Sequence, residues 1–137
     1  MTHNFKDFPE LTNSQMLIYY WDSPHKQILD NFKAKVVKVT DGDTIRVMTD
    51  FRDFTFPVRL LYIDAPEMNT EDGPKSKSWL EDLIMGEEIE VFIDPDNRVG
   101  KWGRILGKIM CKGMDINNLS LILGQSQEFE SGIKQFT

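Results

Sequence analysis

Alternating apolar and polar residues predict a chain built mainly of β-strands after residue 34. Five runs carry this pattern, and they lie at residues 35–40, 44–49, 54–63, 88–93 and 105–111. The turn-forming sequence Asp41-Gly42-Asp43 separates the first two runs and indicates a hairpin. In the third run Arg59 lies on the opposite parity to Leu60 and Tyr62, so we expect its side chain on the other face of the strand.

Three other segments show the spacing of helices, at residues 15–21, 74–85 and 116–123. The stretch Thr12-Asn13-Ser14 is suited to cap the first helix and Asp115 the third, because such side chains accept hydrogen bonds from free backbone N–H groups. Gly86 and Gly124 are suited to end the second and third. The order of elements predicts a mostly β fold with helical additions, namely a small closed barrel of five strands with two or three helices.

The pattern divides the chain into three parts. Residues 1–34 form an N-terminal arm with one short helix, residues 35–124 form the barrel domain, and residues 125–137 form a weakly patterned tail. The aromatic cluster Tyr19-Tyr20-Trp21 allows two interpretations of the arm. It packs on the barrel, since aromatic side chains supply large packing area, or it docks a protein partner.

The charge of the chain limits how it can bind nucleic acid. A net charge of −6 and a pI near 4.9 have the wrong sign for binding through bulk electrostatics. Contact with nucleic acid therefore needs a local basic cluster or a bridging cation. Most of the arginines lie outside the acidic stretch at residues 67–96 and can form such a cluster.

Cysteine and histidine are scarce, which excludes several kinds of site. Cys111 is the only cysteine, so an internal disulfide and a cysteine-based zinc site are excluded. The chain starts without a basic segment followed by an apolar one, and it has no apolar run that could span a membrane. We therefore expect a cytoplasmic protein without a membrane partner, secreted only if a longer precursor is trimmed. We also expect a monomer.

Three carboxylates lie at the ends of predicted strands or just after them. Asp43 follows the hairpin turn and Asp64 ends an apolar run, where a lone carboxylate is costly unless it is paired or bound to a metal. Two such groups in one cleft suit a hard cation such as Ca²⁺ or Mg²⁺. Glu67 can orient or deprotonate a water near that cation. The structural alternatives are a turn-forming Asp and a solvated loop Glu.

Two arginines are candidates for binding phosphate. Arg59 lies in the middle of an apolar strand, and Arg104 follows Lys101-Trp102-Gly103. A guanidinium can bond two phosphate oxygens at once and stays charged at any working pH. Lys101 and Trp102 can hold a terminal nucleotide through charge and stacking. The alternatives are an ion pair between Arg59 and one of the Asp residues, and a solvated turn arginine at position 104.

Taken in order, these motifs resemble those of the staphylococcal nuclease (thermonuclease-like) family. The resemblance runs from about Lys35 to Gly124 and includes a late segment similar to the last helix of the family. Each motif alone is weak, and the ordered set is highly specific. The motifs are Val39-Thr-Asp-Gly-Asp-Thr-Ile-Arg-Val47, Val58-Arg-Leu-Leu-Tyr-Ile-Asp-Ala-Pro-Glu67 and Lys101-Trp-Gly-Arg104.

The resemblance implies an OB-fold barrel and a Ca²⁺-dependent nuclease acting on DNA, RNA or both. By correspondence, Asp43 and Asp64 are the calcium-binding carboxylates, and Ala65 contributes its backbone carbonyl. Glu67 corresponds to the proposed general base. Arg59 and Arg104 correspond to the two arginines that stabilise the pentacoordinate phosphorus, and the family pattern releases a 5′-hydroxyl and leaves a 3′-phosphate.

The alternative is a binding module derived from the nuclease fold, catalytically weak or inactive, that holds nucleic acid or protein. All five catalytic positions keep the expected residue types, which favours the enzyme. A family tyrosine that packs on the nucleotide is replaced by Trp102, and a second tyrosine expected near Phe129 is not present.

Overall fold

Strands and helices follow one another much as the sequence pattern predicts. The computed structural model describes residues 3–100 and 103–129. The strands are β1 (Phe32–Asp41), β2 (Thr44–Met48), β3 (Phe56–Leu60), β4 (Ile63–Asp64), β5 (Glu88–Phe92), β6 (Ile105–Cys111), β7 (Met114–Asp115) and β8 (Gln127–Glu128). The helices are α1 (Asn13–Tyr19), α2 (Asp72–Ile84) and α3 (Ile116–Ile122), and a single 3₁₀ turn, Tyr20–Asp22, follows α1.

Five of the strands close into a barrel, which confirms the predicted fold class. Strand β1 pairs antiparallel with β2 and β5, β2 pairs with β3, and β5 pairs with β6. The ring closes through parallel pairing of β3 with β6, where Arg59 lies opposite Leu106. The barrel is therefore mixed, and its closure brings together two strands that are far apart in the sequence.

Alternation along the strands fills the barrel with apolar side chains. Every second residue of the first half of β1 is buried, from Phe32 to Val36. Phe56, Ile45 and Ile109 are fully buried and join one continuous core. Apolar burial of this kind contributes roughly 25 cal/mol per Å² and holds the strand ends that carry the polar groups.

The third apolar run is not one continuous strand, so the predicted strand at residues 54–63 is wrong in its second half. Strand β3 ends at Leu60, Tyr62 adopts φ 65°, and β4 begins at Ile63. The Leu61 N–H donates to the Gly107 carbonyl at 2.9 Å, which turns the chain out of the barrel strand. As a result Tyr62 is 47% exposed rather than on the buried face with Leu60.

The predicted caps of the helices are present. Thr12 accepts a hydrogen bond from the Gln15 N–H in a reciprocal capping box, and Asp115 accepts from the Asn118 N–H. Gly86 and Gly124 follow α2 and α3 with φ 77° and 71°. Within the described residues, no helix combines the length and apolar character needed to cross a membrane.

The described part of the N-terminal arm lies against the barrel. It is anchored by Leu11 and Ile28, which are 0% and 5% exposed, and by the buried side chain of Glu10. The aromatic cluster contributes less burial than expected, since Trp21 is 92% exposed. In the tail, β8 pairs with β4 and brings residues 127–128 beside Asp64.

Candidate active site

The hairpin turn between β1 and β2 positions Asp43. The Asp43 N–H donates to Asp41 Oδ1 at 3.0 Å, a local bond that fixes the turn. Gly42 lies so close to α2 that an added Cβ would come within 2.1 Å of Ser76 Oγ. The turn is therefore pressed against the helix, and Asp43 is buried with its carboxylate directed at the chain that follows β3.

Arg59 lies at the centre of the polar cluster. Its Nη1 donates to the backbone carbonyls of Leu60 and Ile63 at 3.0 and 2.9 Å, and the residue is 7% exposed. Its Nη2 lies 3.3 Å from Asp43 Oδ2 and 3.4 Å from Asp64 Oδ1. The ion-pair alternative thus holds in this structure, and it places the guanidinium between the two predicted metal ligands.

The segment after Arg59 returns to the turn that carries Asp43. The Ala65 N–H donates to Asp43 Oδ2 at 2.9 Å. Asp64 is more open, with a side chain 45% exposed. Glu67 is exposed to solvent, and its negative charge is close enough to contribute to the raised pKa of Asp64.

Arg104 reaches the same cluster from the start of β6. Its Nη1 lies 3.5 Å from Thr44 Oγ1, and that hydroxyl donates to Asp43 Oδ1 at 3.1 Å. Burial lowers the pKa of Arg104, and the positive charge of Arg59 lowers it further. Within the described residues its Nε is buried without a hydrogen-bond partner. The two guanidiniums therefore lie on either side of Asp43, and one of them has unused donor capacity.

Negative charge is crowded at this end of the barrel. Burial raises the pKa of Asp41 to about 6, and a side-chain hydrogen bond with Asp43 and the charge of Asp43 add to the shift, whereas the bond from the Asp43 N–H opposes it. Burial also raises the pKa of Asp64, again with a contribution from Asp43. Carboxylates that resist ionisation in each other's presence gain from a divalent cation, so the donor set fits a hard metal ion.

The described residues hold no group of three or more His, Cys, Asp or Glu side chains placed to bind a metal ion. A cation here would therefore use two carboxylates and complete its shell with a backbone oxygen and water.

The structure brings four of the predicted site residues together, namely Asp43, Arg59, Asp64 and Arg104. Ala65 joins them through its amide, whereas its predicted role uses the carbonyl. Glu67 lies beside Asp64 on the solvent side. Lys101 and Trp102 lie outside the described residues.

Two residues that support the site were missed in the sequence. Phe129 lies with its ring 5.3 Å from Arg59 Cζ, although the tail was expected to be weakly patterned. Asn117 is buried and bonds the Leu61 carbonyl at the point where the third run breaks. For Asn117 the available signal was an asparagine inside the apolar pattern of the third helix. For Phe129 it was the aromatic residue that the family resemblance places near this position.

Comparison with known proteins identifies the family of the chain. The family model for staphylococcal nuclease homologues matches residues 57–126. The chain is 34% identical over 98 residues to an uncharacterized endonuclease of Escherichia coli, covering 71% of this chain and 61% of that protein. It is 37% identical over 79 residues to a micrococcal nuclease of Shigella flexneri, covering 58% of this chain and 42% of the relative. The chain thus spans about half the length of these curated relatives.

Proposed function

Because the chain belongs to the staphylococcal nuclease homologues, we propose that it is a Ca²⁺-dependent nuclease that hydrolyses phosphodiester bonds in DNA, RNA or both. The observation that carries the proposal is the cluster at one end of the barrel. There, the guanidiniums of Arg59 and Arg104 lie beside the carboxylates of Asp43 and Asp64. Charge of both signs in one cleft suits a reaction in which a phosphate gains negative charge.

Asp43, Asp64 and the carbonyl of Ala65 are the groups we propose to hold Ca²⁺. Burial, and after it the negative charges of Asp43 and Glu67, raise the pKa of Asp64, and a bound cation would offset both effects, which supports this assignment. When bound, the ion would act as a Lewis acid on a phosphate oxygen. The side chain of Asp64 is 45% exposed and leaves room for water in the shell.

Arg59 and Arg104 bind and orient the scissile phosphate. The Nη1 of Arg59 is fixed by two backbone carbonyls, so its Nη2 is presented to the cleft at a set position. Arg104 contributes the buried Nε that has no partner among the described residues. Both groups stay charged as the phosphorus becomes pentacoordinate, and preorganised cations stabilise that charge without reorientation.

Glu67 acts on the attacking water. It lies on the solvent side of Asp64, where it can accept the proton of a water that attacks phosphorus in line with the leaving oxygen. The new bond joins the water oxygen to phosphorus, the bond to the 5′-oxygen breaks, and the leaving 5′-oxygen takes a proton from solvent. The products are a 3′-phosphate and a 5′-hydroxyl. We assign Lys101 and Trp102 to the nucleotide next to the scissile bond.

A binding module that does not cut is the second candidate. It is favoured by the ion pairs that Arg59 already makes with Asp43 and Asp64, since charges neutralised within the protein need no reaction to explain them. The complete set of catalytic residue types favours the enzyme.

Digestion of single-stranded DNA by the purified chain tests the proposal. The substrate is incubated with Ca²⁺, with Mg²⁺ and with a chelator, using the wild type, Glu67→Gln and the control Glu71→Gln. Glu71 lies in the same loop, is 89% exposed in its side chain and makes one weak pair with Lys75. We expect cutting that needs Ca²⁺, falls about 10²- to 10⁴-fold in Glu67→Gln and is unchanged in the control. Retention of DNA in a gel shift without cutting under any condition would establish the binding module instead.

The other assignments stay predictions from the sequence. They are a cytoplasmic location, a monomeric state and a protein partner for residues 1–34. Trp21, which is 92% exposed, is the group through which such a partner would bind the arm.

A further inference from the structure

Arg104 is presented by a short turn of chain that connects the end of β5 to β6. The Gly100 N–H donates to the Arg104 carbonyl at 2.8 Å, and the Leu106 N–H donates to the Arg98 carbonyl at 2.9 Å. Val99 and Ile105 form an isolated antiparallel bridge between these bonds. Residues 98–100 and 104–106 therefore pair as the two sides of a hairpin, called the 98–106 hairpin below, and the position of Arg104 depends on the position of that hairpin.

The side chain of Arg98 ties the base of the hairpin to the N-terminal arm. It is 4% exposed, and its Nε donates to the Ile28 carbonyl at 2.8 Å. Its Nη1 donates to the Leu11 carbonyl at 3.1 Å and to Asn13 Oδ1 at 2.9 Å. One guanidinium thus donates hydrogen bonds to three acceptors of the arm, and these bonds fix the position and orientation of the Arg98 side chain relative to the arm.

Glu10 completes this tie from inside the arm. It is 1% exposed, pairs with Arg52 of the barrel and lies 3.8 Å from Arg98 Nη2. It also accepts the Ile28 N–H at 3.2 Å. Replacing a buried charged cluster with apolar residues is often neutral or stabilising. The gain in stability is therefore a weak explanation for the cluster of Glu10, Arg52 and Arg98, and the fixed geometry that it imposes is a better explanation.

Phe8 touches the other end of the hairpin. Gly103, directly before Arg104, has φ 72°, and a Cβ placed on it would lie 3.1 Å from Phe8 Cβ. The arm therefore contacts the hairpin at its base through Arg98 and beside Arg104 through Phe8.

We propose that residues 8–13 are positioning residues that hold the 98–106 hairpin so that Arg104 faces Asp43 and the bound phosphate. We call this contact between the arm and the hairpin the brace. The inference rests on the proposed function, because the brace would raise the rate of the proposed reaction. A displacement of about 1 Å in a catalytic group can cost about 10²-fold in rate. None of the described residues of the arm hydrogen-bonds the side chains of Asp43, Arg59, Asp64 or Arg104, so we infer that the arm acts through the hairpin.

The first test measures steady-state kinetics of Phe8→Ala and Asn13→Ala, with Leu17→Ala as the control. Leu17 is in the same arm and is 90% exposed, so its truncation leaves the hairpin contacts intact. All variants are assayed well below their melting temperatures. We expect kcat to fall at least about tenfold in the first two with little change in KM, and no change in the control. An unchanged kcat in both would overturn the proposal.

A double-mutant cycle separates positioning from general damage. If Phe8 acts through Arg104, then Phe8→Ala has little further effect on kcat in an Arg104→Ala background. A loss of the same size in both backgrounds would show that Phe8 supports the fold generally, and the proposal would be wrong.

A spectroscopic readout keeps the test independent of activity. The Arg104 Nε–H is buried, so its ¹H–¹⁵N resonance is protected and can be assigned by its loss in Arg104→Lys. We expect Phe8→Ala and Asn13→Ala to shift or broaden it, and Leu17→Ala to leave it in place. If the wild type does not cut nucleic acid, the proposed function fails while this resonance still decides whether the arm positions Arg104. An unmoved resonance in both arm variants would refute the brace.

Discussion

Substitution of Asn117 by aspartate is the sharpest test of how the site is held. The Asn117 amide is buried and fully bonded, with Oδ1 accepting the Ile109 N–H at 3.0 Å. Its Nδ2 donates to the carbonyls of Leu61 and Gly107 at 3.0 and 3.2 Å. The Leu61 carbonyl lies where the chain leaves β3, between Arg59 and Asp64, and Gly107 lies beside it on β6. This one side chain therefore fixes the break that brings Arg59 and Asp64 together.

Aspartate has the same shape as asparagine but lacks the two N–H donors that bond the Leu61 and Gly107 carbonyls. Near pH 4 it folds as the neutral acid with one donor in place of two, a loss of about 1 kcal/mol. At higher pH it must be buried as an anion against two carbonyl oxygens or take up a proton. Protonation costs about 1.4 kcal/mol per pH unit above a pKa of about 3.9, which is about 4 kcal/mol at neutral pH. That is a large part of a typical stability of about 5–15 kcal/mol.

Urea unfolding followed by tryptophan fluorescence across this pH range measures the difference, with a chelator present throughout. Asn118→Asp is the matched control, because Asn118 is the exposed neighbour on the same helix. We expect the control to stay within about 0.5 kcal/mol of the wild type at each pH. A loss of stability in Asn117→Asp that does not grow with pH would refute the assignment of the two donor bonds.

Two further predictions concern the turn that carries Asp43. Gly42→Ala places a Cβ 2.1 Å from Ser76 Oγ, so we expect an overpacking loss of about 1–3 kcal/mol in thermal unfolding, and an unchanged melting temperature would contradict the close approach. Asp41→Asn keeps the acceptor for the Asp43 N–H and removes a carboxyl whose pKa is raised to about 6. The unfolded chain ionises first as pH rises, so wild-type stability falls between about pH 4 and 6. In chelator we expect Asp41→Asn to be more stable than the wild type by about 1 kcal/mol above pH 6, after discounting for partial exposure, and equally stable below pH 4. Equal stability of the two proteins at every pH would count against the raised pKa.

The placement of the candidate site residues was largely predictable because its signals are local. Asp-Gly-Asp between two β-rich runs specifies a turn, and side-chain alternation places Arg59 opposite Leu60. Strand ends meet at one end of a barrel, so residues at those ends converge. The meeting of Asp43, Arg59 and Arg104 follows from these rules once the ring is closed.

The supports of the site could not be predicted, because they depend on partners distant in sequence. The alternation of apolar and polar residues continues through Tyr62 in the sequence. The strand stops before Tyr62 because Leu61 bonds the Gly107 carbonyl through its N–H and the Asn117 side chain through its carbonyl. The same holds for Glu10 and Arg98, since nothing near either residue indicates a buried partner. Local pattern identifies a strand, while tertiary hydrogen bonds decide where it stops.

Closure of the barrel by parallel pairing of β3 with β6 also affects the order in which the candidate active site is assembled. The β1–β2–β3 meander is local and forms early, whereas contacts between distant strands form slowly and follow synthesis of β6. A growing chain that has reached only β5 already carries Asp43, Arg59 and Asp64 but still lacks Arg104. Under the proposed function, a chain assembled in this order would lack its second phosphate-binding arginine until β6 is made, and would therefore not cut the messenger RNA that is being translated beside it.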